Sequence, residues 1–346
     1  MGRLASSVIL CIGLLRVFCA CGAAVDLDMS GDGDAGFVNL DISVAMSDVS
    51  GSLTKAADSD AADDNEKMQS LRIVIVRPDM TVEANRRINL KAVLNHEEET
   101  FKVAANEQKT IYLFVNEDTE FVSETDNIKR KVVDYDFSGI IVGQPFPGAE
   151  IGNLTVRLDS RSAQVAGPLP MSGKHFVDVP GKDHSCRLFV TRAAVKFTFH
   201  INNESSEEVG LGGVTLSKMA REEWYVPRAL YDEEGKVTEY EVPALEGDNG
   251  YYIFRNDFVP YIPVAVGGKV DLRPIYLLEG QYKEGYSMSI FIGGTERHAA
   301  VFGNLPELPR NTHVVVNVTI KKDARIVWEA DVVPYEAVDL NPGFGK

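Results

Sequence analysis

The chain has 346 residues, 45% of them hydrophobic and 25% charged, so its length favours two domains and its composition is ordinary for a globular protein. The net charge of -16 argues against nucleic acid, because neutralising phosphates takes clusters of Lys and Arg; it suits an exposed acidic surface. Beyond the N-terminus no apolar run is long enough to span a bilayer.

Met1–Ala24 reads as an export signal, with Arg3 as the charged start, Val8–Phe18 as an apolar core interrupted by Arg16, and small residues after it. Ala20 stands directly before Cys21 in the manner of a loose bacterial lipobox. This predicts a signal peptide over 1–21 and lipidation of Cys21, with several acyl chains on that residue holding the chain in outer-membrane lipid. Ordinary cleavage near Ala23 or Ala24 is the alternative. Cys11 and Cys19 fall inside the signal, so Cys186 has no intramolecular disulfide partner in the mature chain. His184 lies two residues from Cys186, but no third group is evident to orient a thiol–base pair. The expected role of Cys186 is that of a small buried hydrophobe.

Residues 22–66 form an acidic leader. Asp26–Gly36 is rich in Asp, Gly and Ser and reads as a flexible segment. Asp28, Ser30, Asp32 and Gly33 imitate the opening of a calcium loop, but Asn39 stands where the closing Glu is needed, so no metal is expected. Phe37–Met46 alternates cleanly and predicts a strand, with Val38, Leu40, Ile42, Val44 and Met46 on one face. The following stretch is again acidic and loop-like. Lys55 is the basic residue among Asp58, Asp60, Asp63 and Asp64, which marks an exposed site open to proteolysis.

In the body, Leu71–Val76, Phe101–Ala104, Thr110–Val115 and Leu154–Leu158 read as strands separated by turns. Asn127–Ser138 fits either a helix or irregular structure, and Val142–Gly148 reads as a loop. Pro168, Pro170, Gly173, Pro180 and Gly181 then punctuate the chain ahead of Val195–Ile201. There Val195, Phe197, Phe199 and Ile201 alternate with Lys196, Thr198 and His200, the pattern of a half-buried strand. Short strands continue at Gly213–Leu216, Trp224–Pro227, Tyr240–Pro243, Tyr251–Phe254, Tyr261–Val264 and Pro274–Leu278. A hairpin is expected around Gly293 and Gly294. Thr312–Ile320 and Ile326–Val333 alternate most strongly, and Tyr335–Leu340 is read as a last short strand after Pro334. The whole is an all-β chain of short strands, in the manner of β-sandwiches.

Four pieces resemble the fimbrillins, the type V pilus subunits of Bacteroidales. They are Leu71–Val76 with Lys109–Asp118; Leu169–Gly173 with Thr191–Asn202; Val214–Pro227; and Arg310–Ile320 with Val332–Gly345. Their order and spacing run across nearly the whole mature chain. The resemblance implies two tandem transthyretin-like β-sandwiches, over 67–185 and 186–346. It implies export as a lipoprotein and assembly into fimbriae at the cell surface. In that family a protease removes the N-terminal strand, usually after an Arg, and a neighbouring subunit's C-terminal strand fills the vacated groove. Carried to this chain, the cut falls between Lys55 and Ala56, where Lys replaces the usual Arg, and the removable strand is Phe37–Met46. The donor strand is then 332–340, with Val332, Val333, Tyr335, Ala337, Val338 and Leu340 as its residues. An uncut strand would instead suit an anchor subunit.

No cofactor or enzyme activity is expected, because the six histidines are scattered and no nucleophile, phosphate-loop or metal-ligand pattern is present. Gly210–Gly213 lacks the strand-to-helix context of a phosphate loop. The rival to a purely structural subunit is an adhesin for host glycan or protein, with Trp224, Tyr251, Tyr252 and Tyr261 as a sugar platform.

Overall fold

The computed structural model describes residues 36–46, 64–94, 96–122, 128–158, 163–165, 167–231, 237–241, 251–281, 286–298, 307–323 and 325–333. Cys21, Lys55, Ala56, Tyr335, Ala337, Val338 and Leu340 lie outside these residues.

Seven strands build the first sheet: β1 (Phe37–Met46), β2 (Met68–Val76), β3 (Val82–Leu94), β4 (His96–Ala104), β5 (Glu107–Val115), β6 (Met171–Val179) and β7 (His184–Arg192). Their spatial order is β3-β2-β5-β6-β7-β1-β4. Leu71–Val76 and Ile111–Val115 are buried on both faces, as their near-continuous apolar runs require. Asn106 and Asn116, both with positive φ, turn the chain at the two ends of β5, a conformation Asn tolerates through its short polar side chain.

β7 belongs to two ladders. Thr191 and Arg192 pair with Ser172 and Met171 of β6, whereas His184–Val190 leave β6 and pair with β1. At the split a Cβ on Gly173 would stand 2.3 Å from the Phe189 carbonyl oxygen, so only glycine fits there. The His175 ring fills the gap: its Nε2 lies 2.7 Å from Phe189 O and 3.3 Å from Phe189 N, replacing a ladder bond. Burial holds the His175 imidazole below its usual pKa range.

From Val195 on, two other sheets form. β8 (Val195–Asn203) pairs in parallel with β13 (Thr312–Ile320), which pairs with β14 (Ile326–Val333). The short strands Lys269–Asp271 and Ile275–Leu277 flank β8 on its other side. β9 (Val209–Ala220), β10 (Tyr251–Val264), β11 (Ser287–Ile292) and β12 (Thr295–His298) make the second of these sheets, in the order β10-β9-β11-β12. The hairpin expected around Gly293 and Gly294 joins β11 to β12, both glycines having positive φ. Tyr251–Val264 is one long strand where the alternation predicts two: Arg255, Asn256 and Asp257 stay paired with Thr215, Val214 and Gly213, and Phe258–Tyr261 of β10 bulge out opposite Gly212 before pairing resumes at Ile262. The Asn127–Ser138 stretch holds a short strand, Lys129–Lys131, paired with Glu120–Val122.

The division expected at 185/186 falls inside β7; ladder pairing passes to the later sheets after Arg192. Across that point β8 is buried on both faces over Val195–Phe199, where one was expected; His200 and Asn202 beyond are half-buried. Lys196 reaches Glu66 at 2.9 Å, and Thr198 Oγ1 lies 2.9 Å from His313 Nε2. The polar face of the alternating pattern therefore meets charged and hydrogen-bonding groups in place of water.

Candidate functional site: a strand-filled groove

β1 is an inner strand. It pairs in parallel with β7, Leu40 opposite His184 through Met46 opposite Val190. On its other side it pairs antiparallel with β4, Phe37 opposite Ala104 through Ala45 opposite His96. Val38, Leu40, Ile42, Val44 and Met46 face the core with relative exposures of 8, 0, 0, 0 and 1%. Burying five such side chains is worth about 10 kcal/mol gross, at roughly 2 kcal/mol each. Phe37, at the strand's start, is 65% exposed.

The outward face is read by polar groups. Asp183 accepts from Asn39 N at 2.8 Å and from Asn39 Nδ2 at 3.1 Å. These bonds hold the Asp183 carboxyl below its usual range. Asp41 bridges both neighbours, accepting from Thr100 Oγ1 at 2.6 Å and Ser185 Oγ at 3.5 Å. Cys186 stands opposite Ile42; burial, and then the Asp41 charge, push its thiol up to about 11.

At the far end of β1 lies Arg192, fully buried. It donates to Glu66 O at 2.9 Å, to Asn311 Oδ1 at 2.8 Å and to Met46 Sδ at 3.6 Å. Met46 and Glu66 stand near the two ends of the segment 47–63 that carries Lys55 and Ala56, so one guanidinium touches both sides of that segment and the later sheet. The Glu66 carboxyl accepts from Tyr276 at 2.6 Å and from Lys196; burial raises its pKa and Lys196 opposes the rise.

Among the described residues β4 has a single ladder partner, β1. Its other edge meets side chains of β3. Arg86 donates to Glu99 at 2.9 Å and to Thr100 O at 3.2 Å, and lies 4.3 Å from the Phe101 ring centroid. Glu83, the extra residue of a bulge against β2, accepts from Ala104 N at 2.6 Å. Glu83 is itself held at 2.7 Å by Lys109, which is fully buried and also bound to Glu107. Neither β3 nor these partners is announced by the sequence pattern. The visible signal was Arg86, which interrupts the apolar register of Val82, Ala84, Ile88 and Leu90.

Val332 and Val333 close β14, opposite Val314 and His313, so the structure places the described part of the expected donor in a sheet separate from the groove. The four aromatics of the sugar platform do not converge. Tyr252 is buried with its hydroxyl on Ala163 O at 3.2 Å, Trp224 lies under Arg228, and Tyr251 holds Lys218. Tyr261 is exposed on the bulge at the far end of the same strand, about 20 Å along the ladder from Tyr252.

No protein-family model and no curated protein matches this chain. Among solved structures, it is similar to a provisionally assigned cell adhesion protein of Parabacteroides distasonis ATCC 8503. The two share 13% identity over 87% of this chain and 98% of the other, at a TM-score of 0.57. It is similar to a fimbrilin of Porphyromonas gingivalis W83, with 13% identity over 87% of this chain and 99% of that one, TM-score 0.52. The tip fimbrial protein Mfa3 of Porphyromonas gingivalis, with a C-terminal truncation, matches at 11% identity over 86% of this chain and all 100% of that one, TM-score 0.51. These likenesses establish a shared all-β fold across most of the chain.

Proposed function

We propose that the chain is a structural pilus subunit, exported as a lipoprotein precursor through Cys21 and polymerised by strand exchange at the cell surface. Cleavage between Lys55 and Ala56 frees β1, and the groove between β7 and β4 takes in residues 332–340 of a neighbouring subunit. The observation that carries this reading is the placement of β1: an inner strand that fills an apolar groove and joins the rest of the chain through the segment 47–63. Its removal leaves two unsatisfied strand edges and five empty apolar seats, a template for another strand. Such contacts run head to tail and do not close, so they build filaments. The fimbrilin and tip fimbrial protein that share the fold support it, as does the change of ladder between Arg192 and Val195, which fits two tandem sandwiches.

N-terminal sequencing of protein sheared from cells tests the reading. The expected start is Ala56, and deleting 333–346 abolishes filaments while leaving a folded monomer. Recovery of Cys21-lipidated, uncut chain from filaments overturns cleavage. Lys55 in place of the family's usual Arg favours one alternative, an anchor subunit that keeps β1 and binds only one neighbour.

A further inference from the structure

We infer that Arg86 and Glu83 of β3 act as a clasp that keeps β4 in place while the groove is empty; this rests on the strand-exchange reading. With β1 gone, β7 and β4 stand two strand spacings apart, about 10 Å. Among the described residues nothing in the ladder then holds β4, whose backbone pairs there with β1 alone. Leu188 and Val190 of β7 and Phe101 and Val103 of β4 lose their cover, and apolar attraction draws the two strands together. A groove that collapses in this way admits no further strand.

The clasp opposes that collapse at two points. Glu83 takes the last amide of β4, and the buried Lys109 fixes Glu83 from behind. Arg86 takes the Thr100 carbonyl and the Glu99 carboxylate while its guanidinium lies over Phe101. Both groups reach β4 from the edge opposite β1, so neither contact depends on β1. The clasp covers Glu99–Ala104 only. Arg86 therefore occupies a position in an apolar register because the empty state needs a hydrogen-bond donor there. It is a positioning residue: in the intact chain β1 already holds β4, and an exposed ion pair adds little stability of its own.

The test uses full chain nicked within 47–63, incubated with excess dye-labelled peptide of the sequence Phe37–Met46. Label retained by the protein is followed over time, and the intact forms are melted in parallel. Arg86→Met is expected to melt within a few degrees of the parent when intact; Glu83→Gln, which takes one of two carboxylates from the buried Lys109, melts lower but still folds. Once nicked, each takes up peptide about tenfold more slowly than the nicked parent. Arg86→Lys, which keeps a donor for Thr100 O, recovers part of the rate. Uptake by both nicked variants at the parental rate overturns the clasp and leaves strand exchange standing. No uptake by the nicked parent overturns strand exchange itself, and the clasp with it. If Arg86→Met fails to fold, the same comparison runs on Glu83→Gln, and parental uptake by that variant overturns the clasp.

Discussion

Leu40→Ala is the sharpest probe of what β1 contributes. Leu40 is fully buried at the middle of the groove, opposite Phe101 on one side and His184 on the other. Truncating such a leucine costs about 2–5 kcal/mol, part lost transfer energy and part cavity. At about 3 kcal/mol and roughly 2–4 °C per kcal/mol for a chain of this size, the melting temperature falls by roughly 6–12 °C. Phe37→Ala is the matched control: the ring is mostly in water, so its loss stays within about 0.5 kcal/mol. In nicked chain the same 3 kcal/mol acts on strand retention, so the Leu40→Ala segment leaves about 10²-fold faster. Thermal unfolding by circular dichroism reads the first effect and gel filtration of nicked protein the second. Equal melting of Leu40→Ala and Phe37→Ala would show that Leu40 is not seated in the core, and the groove would lose its basis.

Two further predictions concern titratable groups. Glu223 is fully buried beside Glu279 and Arg310; burial, then the Glu279 charge, push its carboxyl up to about 8 against the pull of Arg310. A carboxyl with a raised folded pKa favours folding below the ordinary carboxylate range, and that contribution drains away as pH rises from about 5 to about 8. Glu223→Gln should therefore flatten the fall in urea midpoint over this window; an unchanged slope would reassign it to other groups. For Cys186, whose thiol is pushed up to about 11, alkylation at pH 8 should run roughly two orders of magnitude slower than for a free thiol. It should accelerate when β1 is displaced, as peptide mapping by mass spectrometry can show; equal rates in both states would place Cys186 away from the groove.

β1 was legible in the sequence because one face of it is buried and period-2 alternation reports one-sided burial directly. The same rule misled at β8, where alternation of Val195–Ile201 predicted a solvated polar face. There Lys196 and Thr198 are enclosed by Glu66 and His313, residues 130 and 115 positions away, and no local pattern announces such partners. β3 went unseen because Glu83, Asn85, Arg86 and Arg87 break its apolar rhythm, and each of the four is engaged in side-chain hydrogen bonds or ion pairs. The candidate aromatics failed for the opposite reason: Tyr and Trp suit cores and stacked ion pairs as well as sugar surfaces, so residue type alone could not choose. The buried apolar face of β1 is thus legible in the sequence, whereas the polar groups beside β1 and behind β4 are not, because their partners are long-range in every case.

Under the proposed strand exchange, those rim groups also bear on which way a replacement strand runs. β1 is parallel to β7 and antiparallel to β4, so a reversed strand would exchange one ladder type for the other and leave the same pair overall. The five seats do not discriminate either, since Val, Leu, Ile, Val and Met are similar apolar side chains in both directions. Polarity must come from groups that differ between the two ends. Asp183 stands at the start of β1, where an amide donor fits and a carboxylate is repelled; Thr100 and Ser185 follow, offering hydroxyl donors to Asp41. At the other end Arg192 lies against Met46. Asp183, Thr100 and Ser185 are on or near the surface, where substitution costs little folding energy. On that proposal affinity for the strand resides in the core seats, and direction and partner choice in the exposed rim, so one can change without disturbing the other.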